Sequence, residues 1–289
     1  GVTTYGFLPE DFVIGFPIEQ KLPGTRTLRL STGHGIQWSM DVDQYGGRDR
    51  DGFPVVEASY TLGAPQTFKG GKTYTKTFNR AVFGPRLGRD HGLFRDGNRI
   101  YGSLPVFADS AGHAGYSEIT SAKTTLYRNN KKVGSNSDPL TGDSFTVPAG
   151  DAAYKLTASV TRSAKIANAS TRIDATWTFR SKKSSRTTQL PASSARFKAT
   201  TGTDNRVKAG KKTTFPVTVE GAAAGKNLKS LSVWVSYDNG KTWKKVTVKK
   251  GRITVKNPAK GKGVSYRAKI VDKKGNTSTI SIYNAYYGK

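Results

Sequence analysis

Metal or acid-base chemistry in this sequence would have to come from three histidines and a few carboxylates. His34, His91 and His113 each sit beside a glycine, in "STGHGIQ", "RDHGLF" and "AGHAGY", on what read as turns or strand ends. No His-x-His or His-x-x-x-His spacing exists to put two imidazoles within reach of one ion, so scattered loop histidines are the favoured reading. The run "DVDQYGGRDRDG" sets Asp41, Asp43, Asp49 and Asp51 close together. Alternating carboxylates on a tight glycine turn supply hard oxygens, which makes these four the calcium candidates. Arg48 and Arg50 are interleaved and no bidentate Glu follows, which favours a surface turn with local ion pairs. A glycosidase would need two acids converging in a cleft, and Glu10, Asp11 and Glu118 could supply them only if the fold happened to gather them. With no cysteine, thiolate catalysis and cysteine metal sites are excluded. No phosphate-binding glycine loop is present.

One short motif matches a known pattern. "SYDNGKTW", Ser236 to Trp243, has the Ser-x-Asp-x-Gly-x-Thr-Trp spacing of the Asp-box on the outer turns of sialidase propellers. Alternation puts Leu231, Val233, Val235 and Tyr237 on one strand face, and "DNGKT" turns the chain into "WKKVTV", so the element is a hairpin. Asp238 then accepts N–H bonds from its own turn, Gly240 takes positive φ and Trp243 covers the hairpin, all structural tasks. A propeller would repeat the box about every 40–50 residues. The sequence has one box, so it is read as a structural turn.

The formal charge is +27, and it is concentrated near the end: from Ser193 onward there are 22 Lys and Arg against 4 Asp and Glu, and 18 of the cations are lysine. Lysine is a hydrated point charge, whereas bidentate reading of phosphates and base edges favours arginine. The field suits nonspecific attraction to an anionic surface. Candidate contacts are Lys244, Lys245, Lys249, Lys250, Lys273 and Lys274 on hairpins and Lys211, Lys212, Lys260 and Lys262 on turns. The competing reading is that these lysines solvate strand edges and discourage edge-to-edge pairing.

Strands must position all of these. Thr25–Leu30, Ile36–Val42, Val55–Thr61, Thr73–Phe78, Ala122–Tyr127, Tyr154–Thr161, Ile173–Phe179, Leu231–Tyr237, Ile253–Lys256 and Ser278–Tyr283 alternate and are rich in Thr, Val, Ile and aromatics. No long amphipathic helix is visible, and Ser163–Ala169 fits a helical turn or a loop equally well. The fold class is all-β, as tandem β-sandwiches. The polar stretch "RSKKSSRTTQLPASS" places a linker at residues 189–195. Residues 196–289 then form a basic immunoglobulin- or fibronectin type III-like sandwich. Residues 1–188 form one β-sandwich region, or 1–60 plus 61–188. No run of apolar residues is long enough to span a membrane, and Gly1–Gly6 lack a signal-peptide start, so the chain is either mature or a piece of something longer.

Long phrases, among them "DFVIGFPIEQKLPGTRTLRLSTG", "GHAGYSEITSAKTTLYRNNKKVG", "DSFTVPAGDAAYKLTASVTRSA" and "VSYDNGKTWKKVTVKKGRITVKNPAKGKGVSYRAKIVDKKGNTSTISIYNAYYGK", resemble the C-terminal region of large secreted subtilisin-like serine peptidases of actinobacteria, particularly Streptomyces. The resemblance covers nearly the whole chain and lies in the run of phrases, with no short motif. It implies an extracellular protein whose parent carries a catalytic domain upstream. The peptidase's own motifs, His-Gly-Thr-His and Gly-Thr-Ser-Met-Ala, fail here at the neighbours of His34-Gly35 and Ser39-Met40, so no catalytic residue carries over.

The expected function is a noncatalytic accessory region, without cofactor unless calcium binds, docking to anionic cell-wall polymer, acidic polysaccharide or protein substrate. One alternative is structural support or gating of the peptidase domain, which requires an apolar patch on residues 1–190. Nonspecific nucleic-acid binding is disfavoured, because Trp234, Tyr237, Trp243 and Tyr266 alternate as core residues rather than as stacking platforms.

Overall fold

A computed structural model describes residues 1–289. The N-terminal region contributes β1 (Val2–Leu8), β2 (Asp11–Ile14), β3 (Gln37–Arg48) and β4 (Pro54–Thr61). The middle region holds β5 (Gly92–Gly97), β6 (Arg99–Ser103), β7 (Ala114–Ser117), β8 (Ser121–Arg128), β9 (Lys131–Asn136), β10 (Thr141–Thr146), β11 (Ala152–Thr161), β12 (Arg172–Ser181) and β13 (Ser184–Gln189). The C-terminal region adds β14 (Ser193–Phe197), β15 (Arg206–Val207), β16 (Lys212–Gly221), β17 (Leu228–Ser236), β18 (Lys244–Val246), β19 (Arg252–Lys256), β20 (Gly263–Asp272) and β21 (Thr277–Gly288). The one helical element is a 3-10 turn, Gly225–Asn227. Ser163–Ala169 is a loop closed by the Ala167 N–H on the Ser163 carbonyl. No helix is long and apolar enough to cross a membrane.

The chain is all-β, in four sheets. Their orders are β2-β1-β3-β4-β7, β10-β6-β5-β13, β14-β16-β19, and a long β18-β17-β20-β21-β12-β11-β8-β9 to which β15 adds by pairing with β21. Period-two patterning explains the long sheet. Tyr154, Leu156, Ala158 and Val160 of β11 and Ile173, Ala175, Trp177 and Phe179 of β12 are buried, while Thr157, Ser159, Asp174, Thr176 and Thr178 between them face solvent. Buried side chains of the four-stranded sheet (Leu93, Ile100, Phe145) and of the three-stranded sheet (Phe197, Phe215, Ile253) share one hydrophobic cluster with the long sheet. In the C-terminal half, Phe197 of β14 stacks on Tyr266 of β20 with centroids 4.9 Å apart. Three strands over four is the sandwich expected for this region.

The expected linker does not exist as one. Ser184–Gln189 pairs with β5 and Ser193 already starts β14, so only Leu190 to Ala192 lie between strands, and Leu190 and Ala192 are buried. The stretch reads as polar because β13 is an exposed sheet-edge strand, with five of its six residues exposed. The two sandwiches also share a sheet, since β12 pairs with β21 from Arg172↔Tyr283 to Thr178↔Thr277. One hydrophobic cluster of 46 buried residues runs from Ala58 to Tyr286. Residues 1–60 are tied in as well, because β4 pairs with β7 and Tyr60 is fully buried in that cluster.

Two expected strands, Thr25–Leu30 and Thr73–Phe78, are irregular and mostly exposed. Threonine and aromatic residues favour a pleated, half-buried surface, and these segments have no neighbouring strand to supply it. Segment Ala81 to Leu87 instead wedges between the sandwiches. The Ser194 hydroxyl donates to the Pro85 carbonyl at 2.8 Å, and the Arg196 guanidinium donates to the carbonyls of Gly84, Ala108 and Asp109.

Candidate functional site

On β16 and β19, Phe215, Val217, Ile253 and Val255 point into the core, which turns Lys212, Thr214, Arg252, Thr254 and Lys256 outward. The register sets Lys212 directly opposite Lys256 and Thr214 opposite Thr254, whose hydroxyls bond at 2.6 Å. Like charges directly opposed across a strand pair repel unless a counter-charge lies nearby. No acid does.

The loops beyond this pair add to it. Asn257, buried, donates its main-chain N–H to the Lys211 carbonyl at 2.8 Å and its side-chain amide to the Lys208 carbonyl at 2.9 Å, while Thr213 donates to Asn257 Oδ1 at 3.0 Å. The next turn closes with Lys262 N–H on Ala259 O and Gly261 N–H on Gly288 O. Lys208, Lys211, Lys212, Lys256, Lys260 and Lys262 therefore crowd one end of the C-terminal sandwich, all exposed. Lys208, Lys256 and the buried Asn257 escaped the sequence reading, because a single Lys between strand residues and an Asn-Pro step give no pairwise signal.

The other candidate lysines lie elsewhere. Lys273 and Lys274 occupy the β20–β21 turn, held to the other end by the Lys273 N–H on the Asn227 carbonyl, near Lys226 and Lys229. Lys249 and Lys250 are in the turn into β19. Lys244 and Lys245 lie on the edge strand β18, and Lys245 Nζ sits 6.0 Å from the Trp234 ring centroid.

Every acid of this sandwich is engaged locally. Asp204 pairs with Lys289 at 3.2 Å, the one ion pair made by the cations from Ser193 onward. Glu220 accepts the Leu87 N–H, and buried Asp272 accepts N–H bonds from Lys274 and Asn276. Asp238 holds the Asp-box turn: its carboxylate accepts the Thr242 hydroxyl at 2.6 Å, the Thr242 N–H at 2.9 Å and the Ser236 hydroxyl at 2.7 Å. Those hydrogen bonds, Thr242's first, push its pKa down to about 2. Gly240 has φ of 83° and lies against Tyr283, while Trp243 packs edge-on to Tyr283 and under Arg267, 4.2 Å from its ring centroid. Away from these exposed groups, burial and then the neighbouring Arg196 lower the pKa of Lys198.

The calcium candidates do not converge. Asp49 spends Oδ1 on the Asp51 and Phe53 N–H groups at 3.0 and 2.9 Å, Asp41 and Asp43 stand on β3, and no three His, Asp or Glu side chains gather anywhere to hold an ion. Arg48 pairs with Glu19 and not with these aspartates. Glu10 and Asp11 sit at the β2 edge of the five-stranded sheet, whereas Glu118 follows β7 at the opposite edge. The three histidines stay apart, and His113 is buried with its Nδ1 2.9 Å from Asp109 and its ring stacked on Phe78. A surface recess of about 600 Å³ beside β12 and β13 holds one carboxylate, Asp151, which is bound by Arg180.

A scan against known protein families finds no match, and no curated protein matches the chain. Likeness to solved structures is distant. Fibronectin(III)-like modules of Clostridium thermocellum CbhA align at 12% identity over 69% of this chain and 92% of theirs, with a TM-score of 0.21. Three N-terminal domains of the bacteriophage RB49 outer capsid protein Hoc align at 11% over 70% and 59%, with a TM-score of 0.21. Bacteroides ovatus SGBP-B, solved with a mixed-linkage heptasaccharide, aligns at 12% over 77% and 46%, with a TM-score of 0.15. Overlays this loose carry no argument about binding, and the sandwich assignment rests on the strand pairing.

Proposed function

We propose that this chain is a noncatalytic accessory region of a secreted subtilisin-like serine peptidase, and that it holds its parent against anionic extracellular polymer through the lysine end of the C-terminal sandwich. The observation that supports this reading is uncompensated charge. Six exposed lysines crowd one end of the sandwich, with buried Asn257 tying the Lys208 and Lys211 carbonyls and Lys212 facing Lys256 directly, and none of the six forms an ion pair. A polyanion laid over Lys212 and Lys256 would remove their repulsion and release counterions, which is a salt-sensitive gain. Nucleic acid fits less well, because Tyr266 is buried and Trp243 lies under Arg267; contrary to the alternation, Tyr237 is exposed and its hydroxyl donates to the Lys256 carbonyl, so one ring of the four is open to stacking at the lysine end.

The test is retention of the whole chain on polyanionic polysaccharide and on bacterial cell walls in rising salt, with a neutral resin as control. Truncation before β14 would strip β21 from β12, so substitutions are the cleaner probe. Lys211→Gln/Lys212→Gln/Lys256→Gln is compared with Lys226→Gln/Lys273→Gln/Lys274→Gln, which removes equal charge at the other end. The first triple is expected to elute earlier, with the log–log salt slope reduced by about 2–3, on the order of one per cation. Equal shifts in both triples would reduce the effect to net charge, and no retention of the unmodified chain would overturn the proposal.

A further inference from the structure

Twelve large hydrophobic side chains are left exposed in the whole chain, and Tyr237 is the only one of them after Ser193. It stands at the lysine end of the C-terminal sandwich, where its hydroxyl donates to the Lys256 carbonyl at 2.5 Å. Alternation along β17 points Val233 and Val235 into the core and would send Tyr237 after them. The strand ends at Ser236, however, and the ring leaves the sheet 45% exposed. Every other aromatic residue of this sandwich is buried or half-buried, so the one open ring coincides with the densest uncompensated charge.

The ring is also fixed before any ligand arrives. β17 belongs to the long sheet and β19 to the three-stranded sheet, so Tyr237 reaches from one sheet to the other and is held at both ends, by its backbone and by its hydroxyl. Burial of the hydroxyl, partly offset by that hydrogen bond, raises the phenol pKa, which keeps the group a neutral donor. A ring already immobilised loses little freedom when a ligand stacks on it. Lys256 is its hydrogen-bond partner's own side chain, Lys212 lies directly opposite Lys256, and neither forms an ion pair. Asp238, the next residue, does not neutralise them, because Ser236 and Thr242 occupy its carboxylate.

We infer that the polymer held at this end is a polyuronate, an acidic polysaccharide whose repeating unit carries both a carboxylate and a sugar ring, with one pyranose lying on Tyr237 and the flanking carboxylates on the lysines. The inference rests on the docking function proposed above and narrows it. A pyranose presents a face of C–H bonds with slight positive charge, and the face of a tyrosine ring is negative, so the two attract beyond the area they bury. A polyphosphate chain has the charge but no ring, and would leave Tyr237 unused. Nucleic acid has rings, but in a single strand the bases stack on one another and in a duplex they are hidden. One tyrosine must then compete with base–base stacking, whereas a pyranose gives up no such neighbour.

The test is titration of the full chain, at one fixed salt concentration, with polygalacturonate, inorganic polyphosphate and single-stranded oligothymidylate, comparing the unmodified chain with Tyr237→Leu and Tyr237→Phe. Tyr237→Leu is expected to weaken polygalacturonate binding by about 2- to 10-fold, the range of one aromatic contact, and to leave polyphosphate binding unchanged. The polyphosphate arm also shows that the lysine end of the variant is still folded. Tyr237→Phe keeps the ring and is expected to bind polygalacturonate as the unmodified chain does. If both polymers bind and neither responds to Tyr237→Leu, or both weaken equally, the polyuronate inference is overturned while docking by the lysines stands. Binding of neither polymer overturns both. A Tyr237→Phe variant as weak as Tyr237→Leu would trace the loss to the hydrogen bond on Lys256 and rule out stacking. An oligothymidylate affinity that falls more than that for polygalacturonate would assign the ring to nucleic acid instead.

Discussion

Trp177 donates its indole N–H to the Ser193 carbonyl at 2.9 Å, joining the centre of the long sheet to the first strand of the C-terminal sandwich. The ring is fully buried in the common core. Replacing Trp177 with Leu leaves a cavity and an unpaired carbonyl, a cost of about 3 kcal/mol. Because the core is continuous, calorimetry is expected to show one unfolding transition that moves as a whole. Two transitions, of which only one shifts, would mean that the sandwiches unfold separately.

Gly240 has no room for a side chain. A Cβ there would stand 2.5 Å from Tyr283 Cε1, and its φ of 83° is one that other residues resist. Gly240→Ala is expected to lower stability by about 1–3 kcal/mol, read as a urea midpoint, whereas Gly251→Ala, at positive φ with open space around it, should cost less.

Asp238 makes the box sensitive to acid. Its folded pKa of about 2 lies below the ordinary aspartate value of 3.8, so its contribution is present above the unfolded value and is lost as pH falls through the folded one. Urea midpoints of the native chain and of Asp238→Asn are expected to differ at neutral pH and to converge between about pH 4 and pH 2. A gap that persists at the acid end would count against the hydrogen-bonded carboxylate.

Asn257 separates geometry from charge. Asn257→Ala leaves the net charge at +27 but frees the Lys208 loop and strands its carbonyl, at a cost of about 1–3 kcal/mol. If arrangement matters for docking, this variant elutes from polyanion at lower salt than the unmodified chain. Unchanged retention would show that the lysines act without being ordered.

Period-two alternation in "AAYKLTASVT" and "TRIDATWTF" was enough to establish an all-β chain, and the sequence alone also localised the charge to the last third and the Asp-box to a hairpin turn. Each of these depends on residues adjacent in sequence. What only the tertiary structure decided depends on residues brought together from afar. β13 looked like a linker because an edge strand has one side in water and needs no apolar pattern, and Thr25–Leu30 looked like a strand although no neighbour exists to pair with it. The Lys212–Lys256 opposition and the Asn257 tie join positions about 40 residues apart or more, set by the β16–β19 register. The bare edge of β2 is a property of sheet order, visible only once it is known that nothing lies beyond it.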